Sequence, residues 1–172
     1  FEQWLAANWQ AIGGKFGNHR KYESLQPGKQ RAMGPAVVTY VNWVNAAGGH
    51  RALFSQIILN AGNDPHIIFD AFYNALPVRG YGRLGRFDWA AMLSRYGFAP
   101  AEAGSAYLKT ATGPKSGMRL LFAGSAQAVI RHSTLQEWSD ELDATLQVGM
   151  EVLEDSICNW QKSPTVFVHF KG

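Results

Sequence analysis

Residues 76–89, Leu-Pro-Val-Arg-Gly-Tyr-Gly-Arg-Leu-Gly-Arg-Phe-Asp-Trp, put three glycines and three arginines into one short stretch, and the flanking sequence decides what that stretch can be. Gly80-Tyr81-Gly82-Arg83-Leu84-Gly85 matches the dinucleotide pattern G-x-G-x-x-G, which requires a buried strand before it and a βαβ unit around it. That context is missing. Asp64 and Pro65 read as an N-cap and a first helical residue, and Ile68, Phe72 and Leu76 follow at fourfold spacing. A helix therefore enters the turn. From Arg86 to Tyr96, Phe87, Trp89, Ala90, Met92 and Leu93 supply a broad apolar face, and Gly97 stands where a glycine ends a helix. The expected motif is helix, glycine turn, helix, within an all-α, compact multi-helix domain.

Glycines let a backbone approach a phosphate closely, and the start of the second helix offers free N–H groups and a positive dipole end. Arg79, Gly80, Tyr81, Gly82, Arg83, Gly85 and Arg86 are therefore the candidate DNA-binding set. The turn resembles the helix-hairpin-helix element, which grips a nucleic-acid backbone without reading sequence. The competing reading is an ordinary glycine-rich connection with solvated arginines.

Charge bears on that choice. Residues 1–131 carry 14 of the 16 Lys and Arg but only 6 of the 13 acids, whereas residues 132–161 carry seven acids and no Lys or Arg. A basic body with a pI near 9.1 suits a polyanion and predicts salt-dependent binding. The chain of 172 residues, 47% hydrophobic and 17% charged, is expected to fold as one domain: a loop-rich arm over 1–33, a helical body over 34–162 and a tail over 163–172. It has no apolar run of membrane-spanning length and no basic leader with an apolar core, so a soluble protein without membrane partners is expected. The single cysteine, Cys158, forms no internal disulfide, and a reducing cytoplasm is the default. The start at Phe1 rather than Met suggests a trimmed chain or a domain cut from something longer.

Elsewhere a short helix is expected from Trp4 to Ile12, before the glycine cluster Gly13-Gly14-Lys15-Phe16-Gly17. Val37, Val38, Val41, Trp43 and Val44 suggest a helix ended by Gly48-Gly49, with a strand as the competitor. Leu53, Phe54, Ile57 and Ile58 mark another helix. Ser133-Thr-Leu-Gln136 reads as a capping box opening one long C-terminal amphipathic helix through Leu135, Trp138, Leu142, Leu146, Gly149, Leu153, Ile157 and Trp160. Its acids are expected to keep it on the back of the basic body. A second glycine cluster, Gly113-Pro-Lys-Ser-Gly117, precedes the helical run Met118 to Phe122 and reads either as a second cationic loop facing the same ligand or as an ordinary helix–helix connection; Walker A spacing is absent. Residues 165–170 read as a short strand or tail.

Several features together resemble the helical DNA glycosylases of the helix-hairpin-helix superfamily. These are the glycine hairpin, the helix after it and a carboxylate, Glu102, about twenty residues beyond Gly82; the hairpin Gly82-Arg-Leu-Gly-Arg-Phe-Asp88, the acidic segment before Ser105-Ala-Tyr107-Leu108, Gly113-Pro-Lys-Ser-Gly-Met118 and Leu153-Glu-Asp-Ser-Ile-Cys158 carry a narrower likeness. Over roughly residues 50–162 the pattern looks more like a bacteriophage branch, the α-glutamyl/putrescinyl thymine pyrophosphorylases, also called amino acid:DNA transferases. That resemblance implies a DNA-modifying enzyme of a bacterial or phage-infected cell, replacing the pyrophosphate of an activated 5-hydroxymethyluracil by a small amine or amino-acid co-substrate to give a hypermodified thymine. On it, Glu102 is the general base, Lys115 and Arg119 join the arginines on the leaving group, and Tyr107 or Tyr81 stacks on a displaced base. No cofactor is implied. The sequence departs from glycosylase–lyases in lacking a lysine just after the hairpin, and from glycosylases in having Glu for Asp. A DNA glycosylase and a noncatalytic DNA-binding or assembly module are the alternatives. His19, His50, His66, His132 and His169 lack metal-ligand spacing, Cys158 reads as core, and Asp88 as a helix-face charge.

Overall fold

The protein is described here by a computed structural model over residues 1–13 and 23–168, so part of the first glycine cluster, His19 and the last four residues lie outside the description. Among the described residues eight helices follow in order: α1 (Glu2–Ile12), α2 (Met33–Ala46), α3 (His50–Ala61), α4 (Pro65–Ala75), α5 (Arg83–Arg95), α6 (Gly113–Ala123), α7 (His132–Leu146) and α8 (Met150–Trp160). Among the described residues there is no strand, only an isolated bridge between Ser24 and Ala32. The chain is all-α.

Local chemistry explains most helix ends. The Asp64 carboxylate accepts from the backbone N–H groups of His66 and Ile67, and Pro65 follows at the first helical position, so α4 starts where the sequence says it should. Helix α2 ends at Ala46 ahead of Gly48, whose φ of 84° a side chain would resist. α5 begins at Arg83, three residues before the expected start, because the Gly82 carbonyl already accepts from the Arg86 N–H at 3.1 Å.

The core is built around α4. Ile68, Phe69 and Phe72 are buried, and Phe72 meets Phe54 of α3 and Trp89 of α5 edge-on, with ring centroids 5.4 and 5.8 Å apart. Burying each such ring contributes roughly 1.5–3 kcal/mol. Residues 99–111 run as a non-helical strap whose Ala99, Ala101, Ala103, Ala106, Leu108 and Ala111 are all buried. The strap is pinned by a hydrogen bond from the Glu102 N–H to the Pro65 carbonyl (3.0 Å) and another from the Ser94 hydroxyl to the Ala101 carbonyl.

Three expectations are corrected. The long C-terminal helix is two, α7 and α8, separated where Gln147 takes a left-handed φ of 55° and Gly149 a φ of 85°. The capping box does not form: α7 has no side-chain cap, and Gln136 instead accepts from the Ser105 hydroxyl and donates to Asp140. The cluster Gly113–Gly117 is no loop but the opening of α6, since close packing on α8 overrides glycine's poor helix propensity. A Cβ at Gly113 would overlap the Cys158 sulfur, and one at Gly117 would overlap Ile157, so these two glycines let α6 lie directly on α8. The tail to residue 168 is turn and coil.

Candidate active site

Helix α8 and the glycine turn line opposite sides of one cavity. Between them opens a cleft of about 840 Å³, lined by Gly80 to Gly85 apart from Tyr81, by Thr112, Gly113 and Pro114 at the start of α6, and by Glu151, Glu154, Asp155 and Cys158 of α8. The two glycine clusters do share one cleft, but its third wall is acidic. The α8 carboxylates, expected on the back of the protein, stand opposite the turn.

Two helices start in this cleft. Neither α5 nor α6 has a side-chain cap, and the first residues of both, Arg83 to Gly85 and Gly113-Pro114, line the cleft, Pro114 having no N–H of its own. At its base lies a buried ion pair, in which one Arg83 nitrogen donates to Glu154 Oε1 and the other to the Ala106 carbonyl. Both side chains are 7% exposed, and the guanidinium also rests 4.8 Å from the Phe87 ring centroid. Arg83 thus joins α5, the strap and α8. Burial pushes the Glu154 carboxyl above its ordinary range, Arg83 pulls it back, and the nearby Asp155 and Asp88 raise it further. Burial likewise raises the Cys158 thiol. At the outer edge Arg95 pairs with Glu151.

The comparisons with known proteins bear on what this cleft serves. The family model for alpha-glutamyl/putrescinyl thymine pyrophosphorylase clade 3 matches residues 1–172. The chain belongs to that family. No curated protein and no solved structure matches. The family's name points to thymine-directed DNA modification, and no helix among the described residues is long and apolar enough to cross a membrane.

In this family member the expected site residues fall into separate places. Gly80, Gly82, Arg83 and Gly85 line the cleft. Arg83 is committed to Glu154, and Arg86 donates to the carbonyls of Tyr73, Asn74 and Tyr81, bracing the end of α4 and the turn. Arg79 is exposed beside the turn. Glu102 is also exposed and stands outside the cleft, with its carbonyl 3.1 Å from His66 Nδ1. Lys115 and Arg119 lie on α6, also away from the cleft, and Lys115 Nζ reaches the Lys109 carbonyl at 3.4 Å. Tyr107 is half-buried: its ring stacks on Tyr73 with centroids 3.9 Å apart, and its hydroxyl donates to Asp70. Cys158 is half-buried in the cleft wall rather than sealed in the core. Asp88, taken from sequence as a helix-face charge, lines the cleft as well. Sequence reasoning missed Glu154. Its signal was an acid directly after Leu153 and three residues before Ile157, on the buried side of a helix, a position where a charge needs a partner.

Proposed function

We propose that this protein replaces the pyrophosphate of an activated 5-hydroxymethyluracil in DNA by an amine or amino acid, and that the cleft between the glycine turn, α6 and α8 is where this happens. The observation that carries the reading is the meeting of two uncapped helix starts and a buried carboxylate in one cleft. Helix N-termini suit a departing phosphate anion. A carboxylate suits the incoming amine. The amine nitrogen attacks the methylene carbon on the base, the carbon–oxygen bond breaks, and its electron pair leaves with pyrophosphate. The surplus amine proton passes to Glu154, whose raised affinity for protons fits that task. In this reading the general-base role moves from Glu102 to Glu154, with Arg83 as the positioning residue that holds the carboxylate. The glycine turn, with Arg79 and Tyr81, serves as a helix-hairpin-helix-like grip on the DNA strand.

The test is mass spectrometry of nucleosides from DNA carrying pyrophosphorylated 5-hydroxymethyluracil, after incubation with the protein and a mixture of amino acids and polyamines. A heavier nucleoside is expected with wild type and with Glu102→Gln, but not with Glu154→Gln, whose folding is checked by circular dichroism. Loss in Glu102→Gln alone returns the base role to that residue. A released free base makes the protein a glycosylase, and unchanged DNA makes it a binding module.

A further inference from the structure

Next to the cleft is a smaller hollow of about 300 Å³ that touches it at Glu23, Arg31 and Gly80. One wall is the chain from Gly28 into the first turn of α2, and the other is Arg79-Gly80-Tyr81. The first wall is shaped by its own backbone: the Ser24 N–H donates to the Arg31 carbonyl (3.0 Å), the Met33 N–H to the Ser24 carbonyl (2.9 Å) and the Ala32 N–H to the Lys29 carbonyl (3.0 Å). That turn brings Lys29 and Arg31 across from Arg79, although they are about fifty residues apart in sequence.

The two cavities differ in charge. Acids outnumber cations along the cleft, with Glu23, Asp88, Glu151, Glu154 and Asp155 against Arg31, Arg83 and Arg95. In the hollow, Lys29, Arg31 and Arg79 face a single acid, Glu23. Lys29 and Arg79 are exposed, and among the described residues neither side chain has a hydrogen bond or an ion pair. The uncapped start of α2 adds the positive end of its dipole. A strand laid over the cleft would have its phosphates repelled by the acidic wall and attracted into the adjoining hollow.

We propose that this hollow is a phosphate subsite, formed by the N-terminal arm and the glycine turn, that seats a DNA backbone phosphate next to the nucleotide whose base enters the cleft. The inference rests on the proposed DNA-modifying reading for its geometry, but it concerns binding and is measured apart from turnover. It gives the segment before α2 a function: Lys29 supplies from the arm the charge that Arg79 supplies from the turn.

The test is fluorescence anisotropy of a labelled, unmodified oligonucleotide over a salt series, with wild type, Lys29→Ala, Arg79→Ala and the double variant. The expected result is weaker binding for each variant and a slope of log K against log salt shallower by about 0.7–0.9 for the double variant, the value of one phosphate contact. Inorganic pyrophosphate is the second probe. Displacement of DNA by millimolar pyrophosphate in wild type, lost in the double variant, overturns the backbone assignment in favour of the leaving group. Identical behaviour of wild type and double variant toward both probes overturns the subsite altogether. If nucleoside transfer fails while the salt slope still falls, the reaction is wrong and the subsite stands.

Discussion

Gly117→Ala is the sharpest test of how the cleft is built, because two opposed effects of known size meet at that residue. Within a helix, replacing glycine by alanine gains about 1 kcal/mol. Against this, the new Cβ would lie 2.5 Å from the carbonyl oxygen of Ile157 and overlap its γ-methyl. Ordinary carbon–oxygen approach is about 3.3–3.6 Å, so α8 must recede by nearly an ångström. Overpacking of this kind costs about 1–3 kcal/mol, and the obstructing oxygen is backbone that no rotamer change can move, which favours the upper part of that range. The net is a destabilisation of about 1–2 kcal/mol, or a fall in Tm of roughly 2–8 °C for a chain of 172 residues. Thermal unfolding followed by circular dichroism reads it directly. Gly113→Ala is the internal control: its Cβ would meet the Cys158 sulfur, so adding Cys158→Ala should restore most of the loss there and none of it at Gly117. A Gly117→Ala protein that melts at or above the wild-type temperature would refute the packing argument.

Two other outcomes follow from buried polar groups. Arg83→Met leaves the Glu154 carboxylate without its partner at 7% exposure and should cost roughly 3–5 kcal/mol in urea unfolding, with Arg83→Met/Glu154→Met losing less than the single change; a loss under about 1 kcal/mol would mean the pair is not buried. Burial first, and then its bond to Asp70, hold the Tyr107 hydroxyl above the ordinary value of 10.0. Its contribution to stability is therefore complete below about pH 10 and declines as pH rises, because the unfolded chain ionises first. Stability should fall less between about pH 9 and about pH 11 in Tyr107→Phe than in wild type, and equal falls would contradict the assignment.

The parts of the fold that sequence made legible were those with local causes. Asp64 and Pro65 announce the start of α4, and Gly48 and Gly97, both at positive φ, mark helix ends. What stayed hidden depends on distant partners. The three- and four-residue spacing runs on through Leu146, Gly149 and Leu153, so the period masked the one local signal, Gly149, that separates α7 from α8. Gly113 and Gly117 look like loop residues until α8 is seen against them. Arg83 looks like a solvated cation in a turn, but its acceptor, Glu154, is 71 residues away. The glycine turn, singled out by its composition, lines the cleft, whereas the Glu154 carboxylate facing it could not be found by spacing from the turn.

The bridge through Arg83 also sets an order of events in the life of the chain. Its two acceptors are 23 and 71 residues downstream, so neither exists when Arg83 is added to the growing chain. At roughly 5–20 residues per second, the arginine waits several seconds for Glu154 to be made. During that interval α4 and α5 can fold around Phe72, but the cleft has no third wall, and a cation meant for burial stays in water. The enclosed site is therefore a product of late docking: a nascent chain halted before α8 would hold a folded glycine turn and no cleft.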